Sequence, residues 1–148
     1  MAIAIGAAAP PIHGVDRDGP RALVFYKVTC SVTKMAGPAI ARLGLAYTGS
    51  VVGVGQDPQP ALDAFAGEHA WGFAQVPDPP PYAASDAYGI ASAPTVVVVD
   101  AEGTVADVVE SWDRDGLNRA AATLASMLGA PPATLSTPED GLPAFKPG

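Results

Sequence analysis

The sequence predicts one α/β layered domain, because segments with strand character alternate with segments of helical periodicity along its 148 residues. Residues 22–28 and 95–99 are short apolar runs rich in β-formers, with the length of buried strands. A helical pattern over residues 33–46 follows the first run, and another over residues 114–128 ends at a glycine. This length suits a single domain.

Four further elements fill the chain between these segments. They are strands at 51–54 and 73–76, a helix from 57 to about 69, and a strand from 104 to about 111 that returns antiparallel from 95–99 as a hairpin. The last twenty residues are rich in proline and threonine and are expected to form an extended arm or a disordered tail. The predicted organisation is a domain over residues 1–129 and a tail over 130–148.

The charge pattern excludes several classes of partner. The chain carries a net charge of −7, and its few lysines and arginines are scattered. Nucleic acids and anionic membranes both require a basic face, so neither is expected as a partner. The apolar N-terminus has no preceding basic residue and is interrupted by Gly6, Pro10 and Pro11, which makes it a poor signal peptide and favours a cytoplasmic location.

Cys30 is the only cysteine, so the chain cannot form an internal disulfide. His13 and His69 are the only histidines, and this ligand count disfavours a structural zinc site. No metal and no cofactor are expected.

Cys30 follows the first predicted strand and precedes the first long helix. Backbone N–H groups and the helix dipole at such a position stabilise an anion, and the thiolate is the reactive form of cysteine. Thr33 is placed to donate a hydroxyl hydrogen bond to that thiolate. From the residues alone a second interpretation stays open, in which Cys30 is a buried, inert apolar residue.

The segment Phe25-Tyr-Lys-Val-Thr-Cys-Ser-Val-Thr-Lys-Met-Ala-Gly-Pro38 resembles the active-site segment of the thioredoxin family. In that family a strand ends in an aromatic residue before Trp-Cys-Gly-Pro-Cys-Lys, and a helical proline follows. The resemblance implies that Cys30 takes the place of the attacking cysteine and Thr33 that of the resolving cysteine. Thr29 stands where the family has tryptophan.

A second segment, Tyr88-Gly-Ile-Ala-Ser-Ala-Pro-Thr95, resembles the loop that carries the family's cis-proline opposite the thiol. The resemblance implies that Pro94 is this proline, with Ala93 before it facing Cys30. Pro94 and its neighbours would then shape a groove for the extended backbone of a substrate. Tyr26 and Tyr88 are expected to border this groove.

Residues 6–19 and 52–57 extend the resemblance, which covers about residues 6 to 128. The chain is similar to bacterial thioredoxin-like redoxins of the alkyl hydroperoxide reductase and thiol-specific antioxidant superfamily. This implies a thioredoxin-like fold with a central mixed sheet of four to five strands flanked by helices, ending in a β-hairpin and a C-terminal helix.

The departure from the family is a C-x-x-T pattern in place of C-x-x-C. A dithiol oxidoreductase resolves its mixed disulfide with the second cysteine, and Thr33 cannot do this. The expected activity is therefore thiol–disulfide exchange through Cys30 alone, by monothiol exchange or by formation of a lasting mixed disulfide. The expected partners are protein or small-molecule thiols and disulfides.

Two alternatives stay open beside monothiol exchange. A one-cysteine peroxidase would oxidise its thiol to a sulfenic acid. Peroxiredoxins share a Pro-x-x-x-Thr-x-x-Cys segment, but Leu23 and Lys27 stand at its proline and threonine, and nothing in the sequence ties Arg114 or Arg119 to the site. The other alternative is a non-catalytic binding module on the same scaffold. Burial of the Cys30 thiol would favour that module, and an open groove would favour chemistry.

Overall fold

The computed structural model describes all residues from 1 to 148 and confirms the predicted α/β class. Seven strands and four α-helices follow one another along the chain. In order they are β1 (Arg21–Tyr26), α1 (Ser31–Ala46), β2 (Val51–Gly55), α2 (Gln59–Glu68), β3 (Ala74–Pro77), α3 (Ala83–Ala87), β4 (Thr95–Val99), β5 (Val105–Glu110), β6 (Trp112–Asp113), α4 (Arg114–Leu128) and β7 (Phe145–Lys146).

The central sheet is mixed and has five strands in the order β3-β2-β1-β4-β5. Strand β1 lies in the middle, parallel to β2 and antiparallel to β4. All six of its residues are buried because both faces of the strand are covered, which is why it has a continuous apolar pattern with no alternation. The predicted hairpin is β4 and β5, and the predicted mixed sheet of four to five strands is confirmed.

Alternate residues of β1 point to opposite faces of the sheet, and each face has its own hydrophobic core. Val24 and Tyr26 lie in the larger core, to which helices α1, α2 and α4 also contribute. Leu23 and Phe25 lie in the smaller core on the other face, where Tyr88 packs against Phe25 with ring centroids 4.9 Å apart. Strand β1 is therefore held from both sides, and the loop that follows it starts from a fixed point.

Helix α3 was missed by the sequence analysis, which placed no element between residues 76 and 95. The carboxylate of Asp78 accepts hydrogen bonds from the backbone N–H groups of Ala84 and Ser85, at 3.0 and 2.8 Å, and from the Ser85 hydroxyl at 2.7 Å. This carboxylate therefore satisfies free N–H groups of the first turn. Asp78 lies five residues before the helix, outside the position where an N-cap residue is normally sought.

The last residues form an extended arm that packs on the rest of the chain. Leu135 is 1% exposed and lies in the larger core. The Arg114 guanidinium pairs with Asp140 at 3.1 Å, and Trp112 Nε1 donates to the Pro143 carbonyl at 2.6 Å. The arm then pairs as β7 with β6. Of the two forms expected for these residues, the arm is the one present, while the domain boundary at residue 129 stays a prediction.

No helix combines the length and the apolar character needed to cross a membrane.

Candidate active site

The loop between β1 and α1 carries Cys30 and is fixed by three hydrogen bonds. The Tyr26 carbonyl accepts from Gln56 N at 3.1 Å, which extends the parallel pairing of β1 and β2 by one step. The Asp57 carboxylate accepts from Val28 N at 2.9 Å, and the Lys27 carbonyl accepts from Cys30 N at 3.3 Å. The cysteine backbone is thus positioned before the helix begins.

Cys30 is the N-cap residue of α1 and has extended backbone angles, φ −79° and ψ 122°. Its carbonyl accepts the first helical hydrogen bond, from Lys34 N at 3.2 Å. No side chain caps the helix, and its first turn contains no acidic residue. The unpaired N–H groups of this turn are therefore free to stabilise negative charge near the cysteine.

The thiol of Cys30 faces the loop before β4. Cys30 Sγ donates a hydrogen bond to the Ala93 carbonyl oxygen at 3.3 Å, and the peptide bond between Ala93 and Pro94 is cis. The Pro94 carbonyl accepts from Ser111 N at 2.8 Å, which ties this loop to the residue after β5. Cys30 itself is half-buried.

A cavity of about 230 Å³ opens beside the thiol. Its lining comes from the end of β1, the loops after β1 and β2, α3, the loop before β4, and the end of the arm: Phe25, Tyr26, Lys27, Cys30, Gln56, Ser85, Ile90, Ala91, Ser92, Ala93 and Gly148. This volume is below the roughly 300–1,000 Å³ of pockets for drug-sized ligands. It suits a side chain or a short stretch of backbone.

The structure brings together three of the six predicted site residues, since Cys30, Ala93 and Tyr26 all line the cavity. Thr29 is exposed and Pro94 is buried, and neither lines the cavity. Tyr88, expected at the groove, lies in the smaller core instead, where its hydroxyl donates to the Pro10 carbonyl at 2.6 Å.

Thr33 differs most from the expectation. Its side chain is fully buried, and its hydroxyl has no hydrogen-bond partner, so the expected bond to the Cys30 sulfur is absent. The reason is the helical period, which places Thr33 on the buried face of α1 with Ala36 and Ile40. A role of Thr33 in catalysis stays a prediction.

Tyr26 is among the residues that line the cavity, but its ring packs in the larger core, 5.5 Å from the ring of Phe65 and 5.0 Å from that of Trp71. The hydroxyl donates to Gln75 Oε1 at 2.6 Å. Burial, and next the carboxylates of Asp57 and Asp63, raise the pKa of Tyr26 above its ordinary value. The Tyr26 side chain is therefore a neutral core residue that ties β1 to β3 through a hydrogen bond.

Sequence reasoning missed Gln56, Ser85, Ser92 and Gly148 among the lining residues. A signal existed for Gln56, because it directly follows β2 and the carboxyl ends of neighbouring parallel strands meet at one edge of a sheet. Lys27, three residues before Cys30, also lines the cavity. The others are brought in by tertiary packing alone.

The two arginines considered for peroxide binding are engaged elsewhere. Arg114 bonds to Ser136, Asp140 and the Leu142 carbonyl. Arg119 forms a two-pronged pair with the Asp107 carboxylate, at 3.0 and 3.1 Å. Neither lines the Cys30 cavity. No group of three or more histidine, cysteine, aspartate and glutamate side chains is arranged to hold a metal ion.

Several solved structures with the same architecture are thiol–disulfide proteins by name. A putative thiol:disulfide interchange protein DsbE from Chlorobium tepidum is similar with a TM-score of 0.71 and 20% identity, over 86% of this chain and 100% of that chain. A thiol:disulfide interchange protein from Bacteroides sp. is similar with a TM-score of 0.69 and 19% identity, over 88% and 93%. DsbF of MTB is similar with a TM-score of 0.60 and 26% identity, over 72% and 81%.

The chain therefore has a thioredoxin-like fold, with a mixed five-stranded sheet flanked by helices. Its sequence matches no protein-family model and no curated protein. Within this fold, its one cysteine lies at the N-terminus of α1 and faces the loop before β4.

Proposed function

We propose that this protein is a thiol–disulfide oxidoreductase that works through Cys30 alone. The observation that carries the proposal is the position of Cys30 Sγ, at an uncapped helix N-terminus, in an open cavity and 3.3 Å from the Ala93 carbonyl. A helix N-terminus favours the thiolate, which is the nucleophile in disulfide exchange. The thiol–disulfide names of the similar structures support the same chemistry.

The exchange takes place in two balanced steps. The Cys30 thiolate attacks one sulfur of a substrate disulfide, which forms a bond from Cys30 to that sulfur and releases the other sulfur as a thiolate that takes up a proton. A small thiol of the glutathione class then attacks the mixed disulfide as its thiolate and restores the Cys30 thiolate. The product of the second step is a disulfide between the small thiol and the first substrate sulfur.

The residues around Cys30 have distinct parts in this scheme. The N–H groups of the first turn of α1 favour negative charge on sulfur, and Lys27, which lines the same cavity, adds a positive side chain to this region. The backbone of Ala93 offers an edge on which an extended peptide can pair in β fashion. The proposed partners are protein or small-molecule thiols and disulfides, and a cytoplasmic location supplies small thiols as the reductant.

A non-catalytic binding module is the second candidate. The observation that favours it is the buried threonine at position 33, which leaves the chain without a second thiol. One-cysteine peroxidase activity and membership of the alkyl hydroperoxide reductase and thiol-specific antioxidant group rest on the sequence resemblance alone. The engagement of Arg114 and Arg119 away from the cavity counts against peroxide binding by either.

The test is a reaction of the reduced, folded protein with glutathione disulfide, followed by intact mass and by turnover of a small disulfide in the presence of glutathione. Cys30→Ser is the blank. A mixed disulfide that glutathione releases, with turnover, supports monothiol exchange. A mixed disulfide that resists glutathione indicates a trap for partners. Absence of any mixed disulfide in the folded protein contradicts the proposal and leaves the binding module.

A further inference from the structure

We propose that residues 145–148 form a strap that covers the Ala93 edge of the Cys30 cavity and must move away before an extended peptide substrate can pair there. The strap would regulate the site described above. This inference rests on the proposed function, which assigns an extended peptide substrate to the Ala93 backbone. The sequence analysis expected these residues to belong to an extended arm or a disordered tail.

The end of the strap lies against the site. Gly148 lines the same cavity as Cys30, and its N–H donates to Ser111 Oγ at 3.0 Å. The Ser111 hydroxyl in turn donates to Ser92 Oγ at 3.3 Å, one residue before Ala93. The backbone of Ala93 is so close to Gly148 that a methyl group at position 148 would collide with the Ala93 carbonyl. Only glycine fits there.

Ala93 is also the point where a substrate backbone is expected to pair. Neither its N–H nor its carbonyl takes part in a backbone–backbone hydrogen bond, and the only partner of its carbonyl is the Cys30 thiol. An unpaired backbone edge beside a nucleophile is a template for an extended peptide. The strap and such a peptide therefore compete for one position.

The attachment of the strap is weak compared with that of the arm before it. Strands β6 and β7 pair over two residues, and all four strap residues are exposed. Immediately upstream, the carbonyls of Leu142, Pro143 and Ala144 accept hydrogen bonds at 2.8, 2.6 and 3.0 Å from Arg114 and Trp112. The strap can therefore open at residue 144 while the arm stays in place.

The test compares the reaction of Cys30 with two irreversible alkylating reagents. Both reactions require access to the thiol, and neither involves disulfide exchange. One reagent is iodoacetamide, and the other is a short extended peptide that carries a maleimide. The rate ratio of peptide to iodoacetamide is measured for the unmodified chain, Gly148→Ala and a chain lacking residues 145–148. Gly67→Ala is the matched control, because no atom lies within 4 Å of the added methyl group.

We expect the rate ratio of peptide to iodoacetamide to rise about tenfold in Gly148→Ala and in the shortened chain, because the fraction of molecules with an uncovered Ala93 edge increases. Gly67→Ala should leave the ratio unchanged. Equal ratios in all four proteins, or no alkylation of any of them, would overturn the strap. If the rate ratio rises while glutathione disulfide gives no mixed disulfide, the covering strap is supported and the proposed exchange activity is contradicted. Failure of one proposal is therefore distinguishable from failure of the other.

Discussion

Cys30 and Ala93 are 63 residues apart in sequence, and the thiol of the first donates a hydrogen bond of 3.3 Å to the carbonyl of the second. Ionisation of the thiol removes this bond, since a thiolate has no proton to donate. The free N–H groups of the first turn of α1 lie next to this position, and a helix N-terminus favours negative charge. The same carbonyl becomes free to accept a bond from a substrate, so ionisation and substrate pairing are linked at one atom.

The contribution of Lys27 can be measured by Lys27→Gln. Lys27 lines the cavity and is exposed, so the attraction between its ammonium and an anionic disulfide is screened by salt. We expect the rate of exchange with glutathione disulfide to fall about twofold to fivefold at low ionic strength, and less at high salt.

Lys34→Gln is the matched control for this prediction, because Lys34 is exposed on α1 and does not line the cavity. Equal losses in both variants would show that only the net charge of the protein matters.

The resemblance of Thr33 to the family's resolving position predicts that Thr33→Cys forms a dithiol pair with Cys30. The Thr33 hydroxyl has no hydrogen-bond partner, so its replacement by a thiol leaves no group newly unsatisfied. We expect the variant to form an intramolecular disulfide on mild oxidation, seen as a mass lower by two hydrogens and as loss of Cys30 alkylation. Thr29→Cys, at an exposed position next to Cys30, is the control and should not form it. A Thr33→Cys protein that stays fully reduced would contradict the match of Thr33 to a resolving position.

Leu135 tests whether the arm is part of the core. It is 1% exposed, and we expect Leu135→Ala to lower the free energy of unfolding by about 2–5 kcal/mol in urea denaturation. Leu45→Ala removes the same atoms from a side chain that is 74% exposed and should change the free energy by less than about 0.5 kcal/mol. Similar small effects in both variants would mean that residues 130–148 are a separable tail.

The raised pKa of Tyr26 predicts that the stability of the protein depends on pH in the alkaline range. The folded protein raises the pKa of Tyr26 above the ordinary 10.0, chiefly by burial, so the folded state holds this proton more tightly than the unfolded state. The contribution of the protonated Tyr26 hydroxyl to the free energy of unfolding is fully present below pH 10 and decreases as the pH rises above 10. Tyr26→Phe also leaves Gln75 Oε1 without its donor, which costs about 1 kcal/mol at neutral pH.

We therefore expect Tyr26→Phe to be less stable than the unmodified protein at pH 7 and the difference to shrink above pH 10, in urea denaturation across this range. Tyr82→Phe, at a side chain that is 38% exposed, is the control. A difference that stays constant above pH 10 would contradict the assignment.

Strand β4 and helix α4 were predicted correctly, because their signals lie within their own segments of the sequence. The valine run of β4 and the periodicity of α4, closed by Gly129 at φ +66°, define elements with the expected bounds. The start of α1 was expected at residue 33 and lies at Ser31, because Cys30 itself is the N-cap. The position of Cys30 followed from the same strand and helix signals.

Features that depend on distant contacts were not predictable from local pattern. The side chain that holds the first turn of α3 lies five residues before that helix, and the direction of Thr33 depends on which face of α1 the sheet covers. The approach of Gly148 to Ala93 joins residues 55 positions apart and has no sequence signature. Hydrophobic pattern defines layers, but it does not determine which loops meet above them.

The central claim is that the folded protein presents Cys30 as an accessible nucleophile. The most direct measurement is the rate of Cys30 alkylation by iodoacetamide at pH 7, in the folded protein and in the same protein denatured with guanidinium, with Cys30→Ser as the blank. The account predicts that Cys30 is alkylated in the folded protein at a rate similar to that in the denatured chain, because it lines an open cavity at the N-terminus of α1. Labelling that begins only on denaturation would contradict the catalytic role and leave a thioredoxin-like scaffold for binding.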